Sequence, residues 1–550
     1  MIDFIKKHPE FFTILGLLIF CYFMFFYGIG HYALMDVDET RYITMARDMF
    51  HSKDYMTLFL NGQFFFEKPP LFFWGEVLSF KLFHVVNEFS ARFPVAMYGT
   101  LSTLLLYFTG KKAVSRKYGI ISALILATSV EFIILAKYAI LDILLATCIE
   151  FAICFGFLTY FVKEENKKYF WWLFYIFSGL AVMAKGVPGI AVPFGTMFFV
   201  SIFTKKFKEI FKPQYIIPGS ILFLLVALPW HLLMFKIHDP LFFNEYIIKH
   251  HLARFIDSSH ELGRKQPFYF FMLTFLWGFC PWILSAITIF ISEVKKWFKK
   301  DFSGLMSIEL TNTQKYLAFN LIAFVVTMAF FSSSSSKLIT YILPIYFAAA
   351  SLMAWAWVQY IDNAKYEKPI QVATYILFGL FFVASIVALF TQFFLPKEIY
   401  ADIVCVKWFT IGLLFVSSTL ALTFAKLGKR TALFATYVGF VLVLSAFGMA
   451  KYFNLDFGFG QNDLIKYGEY AKTNNLKIYT LNTGRRFSLN YYGPKAVTYG
   501  EDPWENTQTV INRETPNTVF IIRSKNLIDI KPAKYKTIST GKKYTLLKKG

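Results

Sequence analysis

The chain has 550 residues and a net charge of +21, and it is 56% hydrophobic, 20% aromatic and only 17% charged. Soluble globular domains carry about 25% charged residues, so this composition excludes an ordinary soluble protein. No RNP-like, zinc-finger or basic-helix pattern accompanies the positive charge, so we expect it to reflect membrane topology and predict no nucleic-acid partner.

Long apolar runs recur along the chain, and a helix needs about 20 largely apolar residues to cross a bilayer. Thirteen runs are predicted as spans, at 11–30, 93–110, 119–136, 143–162, 169–184, 186–204, 214–235, 267–292, 316–331, 338–360, 369–392, 406–425 and 431–450. The first run exceeds a usual signal-sequence core and no A-x-A-like site follows it, so we expect a retained helix.

Lys and Arg fall in every second loop between these runs, which places those loops in the cytoplasm by the positive-inside rule. The basic loops are 111–117, 163–168, 205–212, 295–300, 365–368 and 426–430. The long loops 31–92 and 236–266, and the tail, are then outside. We expect an all-α polytopic membrane domain over 1–453, with about 13 transmembrane helices.

The tail, 454–550, has a different composition. Short β-type runs lie at Lys477 to Leu481, Thr518 to Arg523 and Tyr544 to Leu547, between Asn, Gly and Pro turn signals. We predict a small α/β domain outside the cytoplasm.

The first outer loop opens with DVDETRY, from Asp36 to Tyr42. If Asp38 caps a helix, Arg41 and Tyr42 follow on the same face, and the amphipathic continuation suits a helix in the membrane interface. Asp38 and Glu39 are candidate catalytic acids that would position an acceptor or take its proton. The alternative is a solvated capping turn.

The same loop contains FEKPP, in which two prolines fix the backbone beside Glu67 and Lys68. A rigidly placed lysine suits a phosphate. The alternative is a lysine that snorkels before an interfacial helix.

Asp142 and Lys185 lie at the outer ends of predicted spans. Asp142 is either a functional acid or a helix cap. Lys185 is followed by helix-breaking glycines that allow close approach of a phosphate to the backbone. Glu131 lies inside a span, where an ionisable group usually has a partner, and Lys137 is the predicted one.

The second long outer loop contains KHHLARF. His250 or His251 could ligate zinc together with Glu67, although the spacing matches no recognisable zinc motif. Arg254 suits either a phosphate or a lipid headgroup. Beyond this loop, Lys337 and Tyr341 lie one turn apart at the outer end of the tenth span.

Cations and acids are thus predicted to meet at one membrane face. The cations are Arg41, Lys68, Lys185, Arg254 and Lys337, and the acids are Asp38, Glu67 and Asp142. Such a mixture suits a reaction with an anionic phosphate leaving group, since each donor to a developing oxyanion contributes on the order of 3 kcal/mol.

DETRY, FEKPP, AILDILLA, GLAVMAKG, HHLARF and SKLITYILP, in this order, resemble the aminoarabinose transferase family over roughly residues 30–345. The resemblance implies a GT-C membrane fold, related to protein O-mannosyltransferases, and transfer of 4-amino-4-deoxy-L-arabinose from undecaprenyl phosphate to lipid A. It implies a multi-pass protein of the bacterial inner membrane, with its active site facing the periplasm.

By position, the resemblance implies that Asp38 and Asp142 are the important acids of the family. It implies a phosphate site and a zinc pair. The phosphate-site residues would be Arg41, Lys68, Lys185, Arg254 and Tyr341, and the zinc pair Glu67 with His250 or His251. Phe64, Phe65 and Phe66 replace an aromatic hydroxyl common before EKPP, so one phosphate contact is expected to be missing.

Three other functions stay open at this stage. A protein O-mannosyltransferase would use a peptide acceptor, and a binding-only scaffold would consume no donor. A transporter would carry inverted repeats with matching broken helices, and no such repeat is evident in the sequence.

Overall fold

A helical membrane bundle carries a small mixed sheet at its C-terminal end. The computed structural model describes residues 8–210, 212–253, 266–297, 310–455, 460–481, 483–494, 497–500, 517–525 and 535–549. Arg254 lies outside these residues.

Most of the bundle consists of α-helices. Its α-helices span Pro9–Cys21, Asp38–Ser52, Leu71–Phe83, Glu88–Ala113, Arg116–Ala127, Val130–Leu135, Asp142–Leu158, Glu164–Lys185, Pro188–Phe203, Phe207–Ile210, Pro213–His238, Phe270–Gly278, Ile283–Trp297, Asn312–Ser333, Ile345–Asn363, Glu367–Leu389, Thr391–Phe394, Lys397–Lys426, Arg430–Val443 and Met449–Phe453. Wider π-helical turns cover Tyr22–Phe26, Phe243–Ala253 and Leu444–Gly448, and a 3₁₀ turn covers Ile339–Ile342.

Each predicted span coincides with a helix or a pair of helices. Six helices in the described ranges are long and apolar enough to cross a membrane, and one bent pair adds a seventh. The run 119–136 divides into Arg116–Ala127 and Val130–Leu135. Beyond these seven candidates, the count of thirteen spans stays a prediction.

The bent pair, Phe270–Gly278 and Ile283–Lys295, turns by 115° at its break. Pro281 lies in that break. A proline has no N–H for the helical ladder, and its ring collides with the preceding turn. The run predicted as one continuous span at 267–292 is therefore broken.

Ion pairs join the loops predicted to be cytoplasmic. Lys117 pairs with Asp362, and the Arg430 guanidinium lies 3.6 Å from the Glu367 carboxylate. Lys111 lies 2.6 Å from Glu10 near the N-terminus. These loops are distant in sequence, so their pairing places them at one end of the bundle, as the charge alternation predicted.

The loop 31–92, which was predicted to lie outside, contains two complete helices. Its amphipathic helix, Asp38–Ser52, was predicted, whereas the apolar helix Leu71–Phe83 was not. Between them lies a two-residue hairpin, β1 (Phe59–Leu60) with β2 (Gln63–Phe64).

The tail forms a five-stranded sheet, with the three predicted β-type runs as its centre. The strands are β3 (Lys477–Leu481), β4 (Val497–Gly500), β5 (Thr518–Arg523), β6 (Tyr535–Thr540) and β7 (Tyr544–Lys549), in the order β4-β3-β5-β7-β6. β3 pairs in parallel with β4 and β5, and β7 pairs antiparallel with β5 and β6.

Two short helices accompany this sheet, Gln461–Thr473 and Ser488–Tyr492. Leu464 and Tyr467 of the first pack into one apolar core with Ile478 and Val519 of the strands. The second contacts the helix Asp38–Ser52, where the Arg47 guanidinium donates to the carbonyls of Asn490 and Tyr491 at 3.1 and 2.9 Å. The sheet domain therefore rests on the first outer loop.

Candidate active site

Asp38 and Arg41 form an ion pair on the first turn of the helix Asp38–Ser52. The Arg41 Nη2 atom lies 3.0 Å from the Asp38 Oδ1 atom, and 46% of the Asp38 side chain is exposed. The predicted capping role is wrong, because Val37 is the cap residue and no side-chain cap bond is made. Asp38 is thus a half-exposed carboxylate at the edge of the bundle.

Arg41 is held against aromatic rings. Its guanidinium donates to the Tyr42 hydroxyl at 3.1 Å and lies 5.8 Å from the centre of the Phe65 ring. Burial favours the neutral form, but Tyr42, Asp38 and Glu67 outweigh it and raise the pKa of Arg41. Arg41 therefore remains a fixed cation.

Lys185 and Asp142 form a second, more buried ion pair. Lys185 ends the helix Glu164–Lys185, and Asp142 begins the helix Asp142–Leu158 without making a cap bond. Their side chains are 8% and 9% exposed, and the Lys185 ammonium lies 3.9 Å from the centre of the Tyr341 ring. The capping alternative for Asp142 is therefore wrong, and three distant segments meet at Lys185.

Tyr42 contacts the first ion pair through Arg41 and is near enough to the second to feel the charge of Asp142. Its burial raises the pKa of the phenol, as do the nearby carboxylates of Asp38, Asp142 and Glu67, while Arg41 opposes the shift. Because these charges all act on one hydroxyl, both ion pairs and Glu67 belong to the same cluster. Sequence analysis placed Tyr42 on the face of Arg41 without giving it a role.

Glu39 has a different environment from its neighbour Asp38. It is fully buried, and its two carboxylate oxygens accept from Arg92 Nε and Nη2 at 2.7 and 2.8 Å. The backbone N–H groups of Met35 and Ala139 donate to the same carboxylate at 2.7 and 2.9 Å. These contacts are those of a structural residue, and they give no support to the predicted catalytic role.

Arg92 was missed by the sequence analysis. It is fully buried, and besides Glu39 it donates to the carbonyls of Ile29, Tyr32 and Ala33 at 2.7–2.9 Å. This arginine therefore ties the chain that precedes Asp38 to the helix Glu88–Ala113. No motif around Arg92 distinguishes it from the other charged residues of this loop.

The remaining predicted site residues differ in their placement. Glu67 and Lys68 are half-buried just before the helix Leu71–Phe83. Lys337 is 4% exposed, and its ammonium donates to the carbonyls of Gln266 and Ser334 at 3.2 and 2.5 Å. Of the pair Lys337 and Tyr341, it is therefore Tyr341 that reaches Lys185.

The predicted pairing of Lys137 with Glu131 is wrong. The Lys137 ammonium donates to the carbonyls of Tyr27 and Ser445 at 3.2 and 3.1 Å. Glu131 instead accepts a 2.5 Å hydrogen bond from the Tyr346 hydroxyl. Lys137 therefore joins the first and last helices of the bundle.

The zinc prediction depends on side chains that lie outside the described part of the structure. His250 and His251 belong to the turn Phe243–Ala253, but their side chains are not described. Among the residues whose placement is described, no group of three or more His, Cys, Asp or Glu side chains could hold a metal ion. Zinc therefore stays a prediction.

Asp36 connects the cluster to the C-terminal sheet domain. Its carboxylate accepts from the Ser488 N–H and hydroxyl at 2.8 and 2.6 Å. It also accepts from the Thr40 hydroxyl at 2.6 Å. The backbone that leads into Asp38 is therefore held from both sides.

Comparison with known proteins agrees with this architecture. The sequence profile of the family "Dolichyl-phosphate-mannose-protein mannosyltransferase" matches residues 10–243. A protein of Aquifex aeolicus without an assigned function is 29% identical over 333 residues, or 60% of this chain and 61% of its own length. The undecaprenyl phosphate-alpha-4-amino-4-deoxy-L-arabinose arabinosyl transferase 2 of Proteus mirabilis is 26% identical over 71% of this chain and 68% of its own.

Among solved structures, the crystal structure of ArnT from Cupriavidus metallidurans bound to undecaprenyl phosphate superimposes with a TM-score of 0.77. The sequences are 18% identical, and the match covers 97% of each chain. The helical bundle, its outer loops and the sheet domain thus define a polytopic membrane protein of the GT-C fold. In sequence the chain is similar to the aminoarabinose transferases, and it shares the fold of the ArnT structure.

Proposed function

We propose that this protein transfers a sugar from a polyprenyl-phosphate donor to an envelope acceptor, at the periplasmic face of the bacterial inner membrane. The donor would be an aminoarabinose-like pentose or a hexose, and the acceptor lipid A or another envelope molecule. The observation that supports this most is the junction of the Asp38–Arg41 and Lys185–Asp142 pairs around Tyr42. It brings together a half-exposed acid and two fixed cations.

In this proposal, Lys185 and Arg41 bind the donor phosphate, and Lys68 supports them. Lys185 is nearly buried between Asp142 and the Tyr341 ring. Water screens a buried charge less than an exposed one, so the Lys185 ammonium would attract a phosphate strongly. The bound phosphate would replace the Asp142 carboxylate as the partner of Lys185.

The acceptor then approaches beside Asp38. Its oxygen attacks the anomeric carbon, and the bond from that carbon to the phosphate oxygen breaks. The polyprenyl phosphate leaves with the electron pair and is stabilised by the cations. If the acceptor is a phosphate, Asp38 positions it or the sugar amine. If it is a hydroxyl, Asp38 takes its proton.

Glu39 is assigned a positioning role, because its carboxylate is saturated by Arg92 and two backbone N–H groups. Zinc at Glu67 with His250 or His251 stays a prediction, and the steps above use protein groups alone. The full count of thirteen spans and the periplasmic orientation belong to the same proposal.

A protein O-mannosyltransferase-like activity is the second candidate, and the family profile over residues 10–243 favours it. The two activities differ in their acceptor, a lipid or a peptide, which the mass of the product distinguishes.

A transporter is less well supported, since the two ion pairs lie at helix ends or in outer loops, whereas transporter sites lie near the bilayer midplane.

The test is sugar transfer by purified protein from a defined undecaprenyl-phosphate sugar, with products identified by mass spectrometry. Asp38→Asn should reduce turnover by about 10²–10⁴-fold if Asp38 takes a proton. Asp48→Asn is the matched control, because Asp48 lies on the same helix and pairs with Arg47. Failure of the wild-type protein to consume any polyprenyl-phosphate sugar would contradict the proposed function.

A further inference from the structure

A cavity lies between the first outer loop and the C-terminal sheet domain. Its volume is about 440 Å³. The loop contributes the hairpin and the FEKPP segment, and the domain contributes the turn before Ser488 and strand β4. The side chains used below are Gln63, Phe64, Glu67, Arg485, Thr498 and Tyr499.

The walls of this cavity are fixed by hydrogen bonds across the two units. The Asn61 amide donates to the Val497 carbonyl at 2.9 Å and accepts from the Asn490 amide at 3.0 Å. The Tyr499 hydroxyl lies 2.5 Å from Asn490 Oδ1 and 2.8 Å from the Arg486 carbonyl, and its single proton is shared between these two acceptors. The cavity is therefore part of the folded interface and not a gap between loosely placed units.

The exposed groups at the opening are polar, cationic and aromatic, and one half-buried carboxylate, Glu67, lies in the wall. Arg485, Gln63 and Thr498 have exposed side chains, and the Phe64 ring is 48% exposed. An arginine fork binds phosphate in a bidentate manner, and amide and hydroxyl groups exchange hydrogen bonds with sugar hydroxyls. A flat aromatic ring adds apolar contact for a sugar face. This combination fits a phosphorylated carbohydrate.

The cavity shares a wall with the candidate active site. Phe65 and Glu67 line it, and the Arg41 guanidinium lies 5.8 Å from the Phe65 ring centre. Glu67 also acts on Arg41 electrostatically. A headgroup held in the cavity would thus lie one side chain away from the Asp38–Arg41 pair.

We infer that this cavity is the acceptor subsite, where Arg485 of the C-terminal domain binds a phosphate on a carbohydrate headgroup and sets the acceptor preference. The inference rests on the proposed function and deepens it. The donor phosphate is already assigned to Lys185 and Arg41 in the proposed function, so this separate cavity is left for the acceptor. The phosphate could belong to a glycolipid or to a soluble sugar phosphate, so both are tested.

The experiment measures transfer kinetics with one undecaprenyl-phosphate sugar donor and two acceptors, bisphosphorylated lipid A and glucosamine 1-phosphate. The Kd values of lipid A with and without its phosphates are measured by binding alone, because the dephosphorylated lipid lacks a phosphate to accept the sugar. Arg485→Gln is compared with wild type and with Lys472→Gln, an exposed cation on the helix Gln461–Thr473 of the same domain. Donor KM is measured in parallel.

Arg485→Gln is expected to raise the KM for bisphosphorylated lipid A by about tenfold, because the loss of one hydrogen bond to a charged group typically weakens binding by about that factor. The KM for the donor and the Kd for the dephosphorylated lipid should stay within twofold of wild type, as should all values for Lys472→Gln. A matching rise for glucosamine 1-phosphate would assign the contact to the sugar phosphate alone, whereas a rise for lipid A alone would assign it to the glycolipid. Both results support the subsite.

Two results would overturn the inference while leaving the proposed function intact. One is transfer by Arg485→Gln with the wild-type KM for bisphosphorylated lipid A. The other is an equal rise in Kd for phosphorylated and dephosphorylated lipid A, which would make Arg485 a structural residue. Absence of donor consumption by the wild-type protein would instead contradict the proposed function and, with it, this inference.

Discussion

Asp36 and Ser488 are separated by 452 positions in the sequence and joined by two hydrogen bonds in the structure. The Ser488 N–H and hydroxyl donate to the two oxygens of the Asp36 carboxylate at 2.8 and 2.6 Å. Because Asp36 precedes Asp38 by two residues, the C-terminal domain holds the backbone that presents the candidate catalytic acid.

Removal of the Ser488 hydroxyl should weaken this connection. Ser488→Ala deletes one hydrogen bond to a charged acceptor, which contributes about 1.5–3 kcal/mol. We expect a lower Tm in detergent and a several-fold fall in turnover with unchanged donor KM. Ser539→Ala, at an exposed position of β6, is the control and should change neither the Tm nor the turnover. Unchanged turnover in Ser488→Ala would mean that the C-terminal domain does not help to place Asp38.

Glu39 and Arg92 allow a structural role to be separated from a catalytic one. Removing one partner of a buried ion pair leaves an uncompensated charge and typically costs about 3–5 kcal/mol. We therefore expect Glu39→Gln to lower the Tm strongly and to reduce the yield of folded protein. A Glu39→Gln protein with the Tm of wild type and no activity would instead restore the catalytic role.

Glu76 should make stability depend on pH. It lies on the outer helix Leu71–Phe83, is fully buried, and neither carboxylate oxygen has a hydrogen-bond partner among the described residues. Burial, reinforced by the charge of Glu39, raises the pKa of Glu76 well above its ordinary value. The folded state then binds a proton that the unfolded chain has lost, so stability falls as pH rises between the unfolded and folded pKa values, by about 1.4 kcal/mol per pH unit.

Glu76→Gln removes this titration while keeping the size of the side chain. The fall in Tm between pH 5 and pH 8 should therefore be smaller in Glu76→Gln than in wild type. Glu469→Gln, at an exposed position of the sheet domain, should keep the wild-type fall. An identical pH dependence in Glu76→Gln and wild type would mean that Glu76 ionises freely in the folded protein.

The sequence predicted the helices well, because apolar length is a local property that each run carries by itself. Three of the five described strands of the tail, β3, β5 and β7, were predicted from local runs of β-type residues, whereas the edge strands β4 and β6 were not. The bend at Pro281 was not, although proline is its evident cause, because proline also occurs inside continuous helices of this chain, such as Pro229 in Pro213–His238.

The partners of charged residues were harder to predict. Asp38 and Glu39 are adjacent acids in one motif, yet Asp38 is half-exposed whereas Glu39 is buried in an ion pair with Arg92. Which of the two faces the bundle depends on the rotation of a helix, and hence on packing that the sequence does not specify locally. Lys137 was assigned to an acid, whereas backbone carbonyls satisfy it.

The central claim is that Lys185 binds the phosphate of the donor. The most direct measurement is the Kd of undecaprenyl phosphate for protein in lipid nanodiscs, by calorimetric titration. The double variant Lys185→Gln/Asp142→Asn removes both charges together, so no unpaired charge is left buried, and Lys81→Gln, an exposed lysine on an outer helix, is the control. The account predicts a Kd at least about tenfold weaker in the double variant and unchanged in Lys81→Gln, whereas wild-type affinity in the double variant would contradict it.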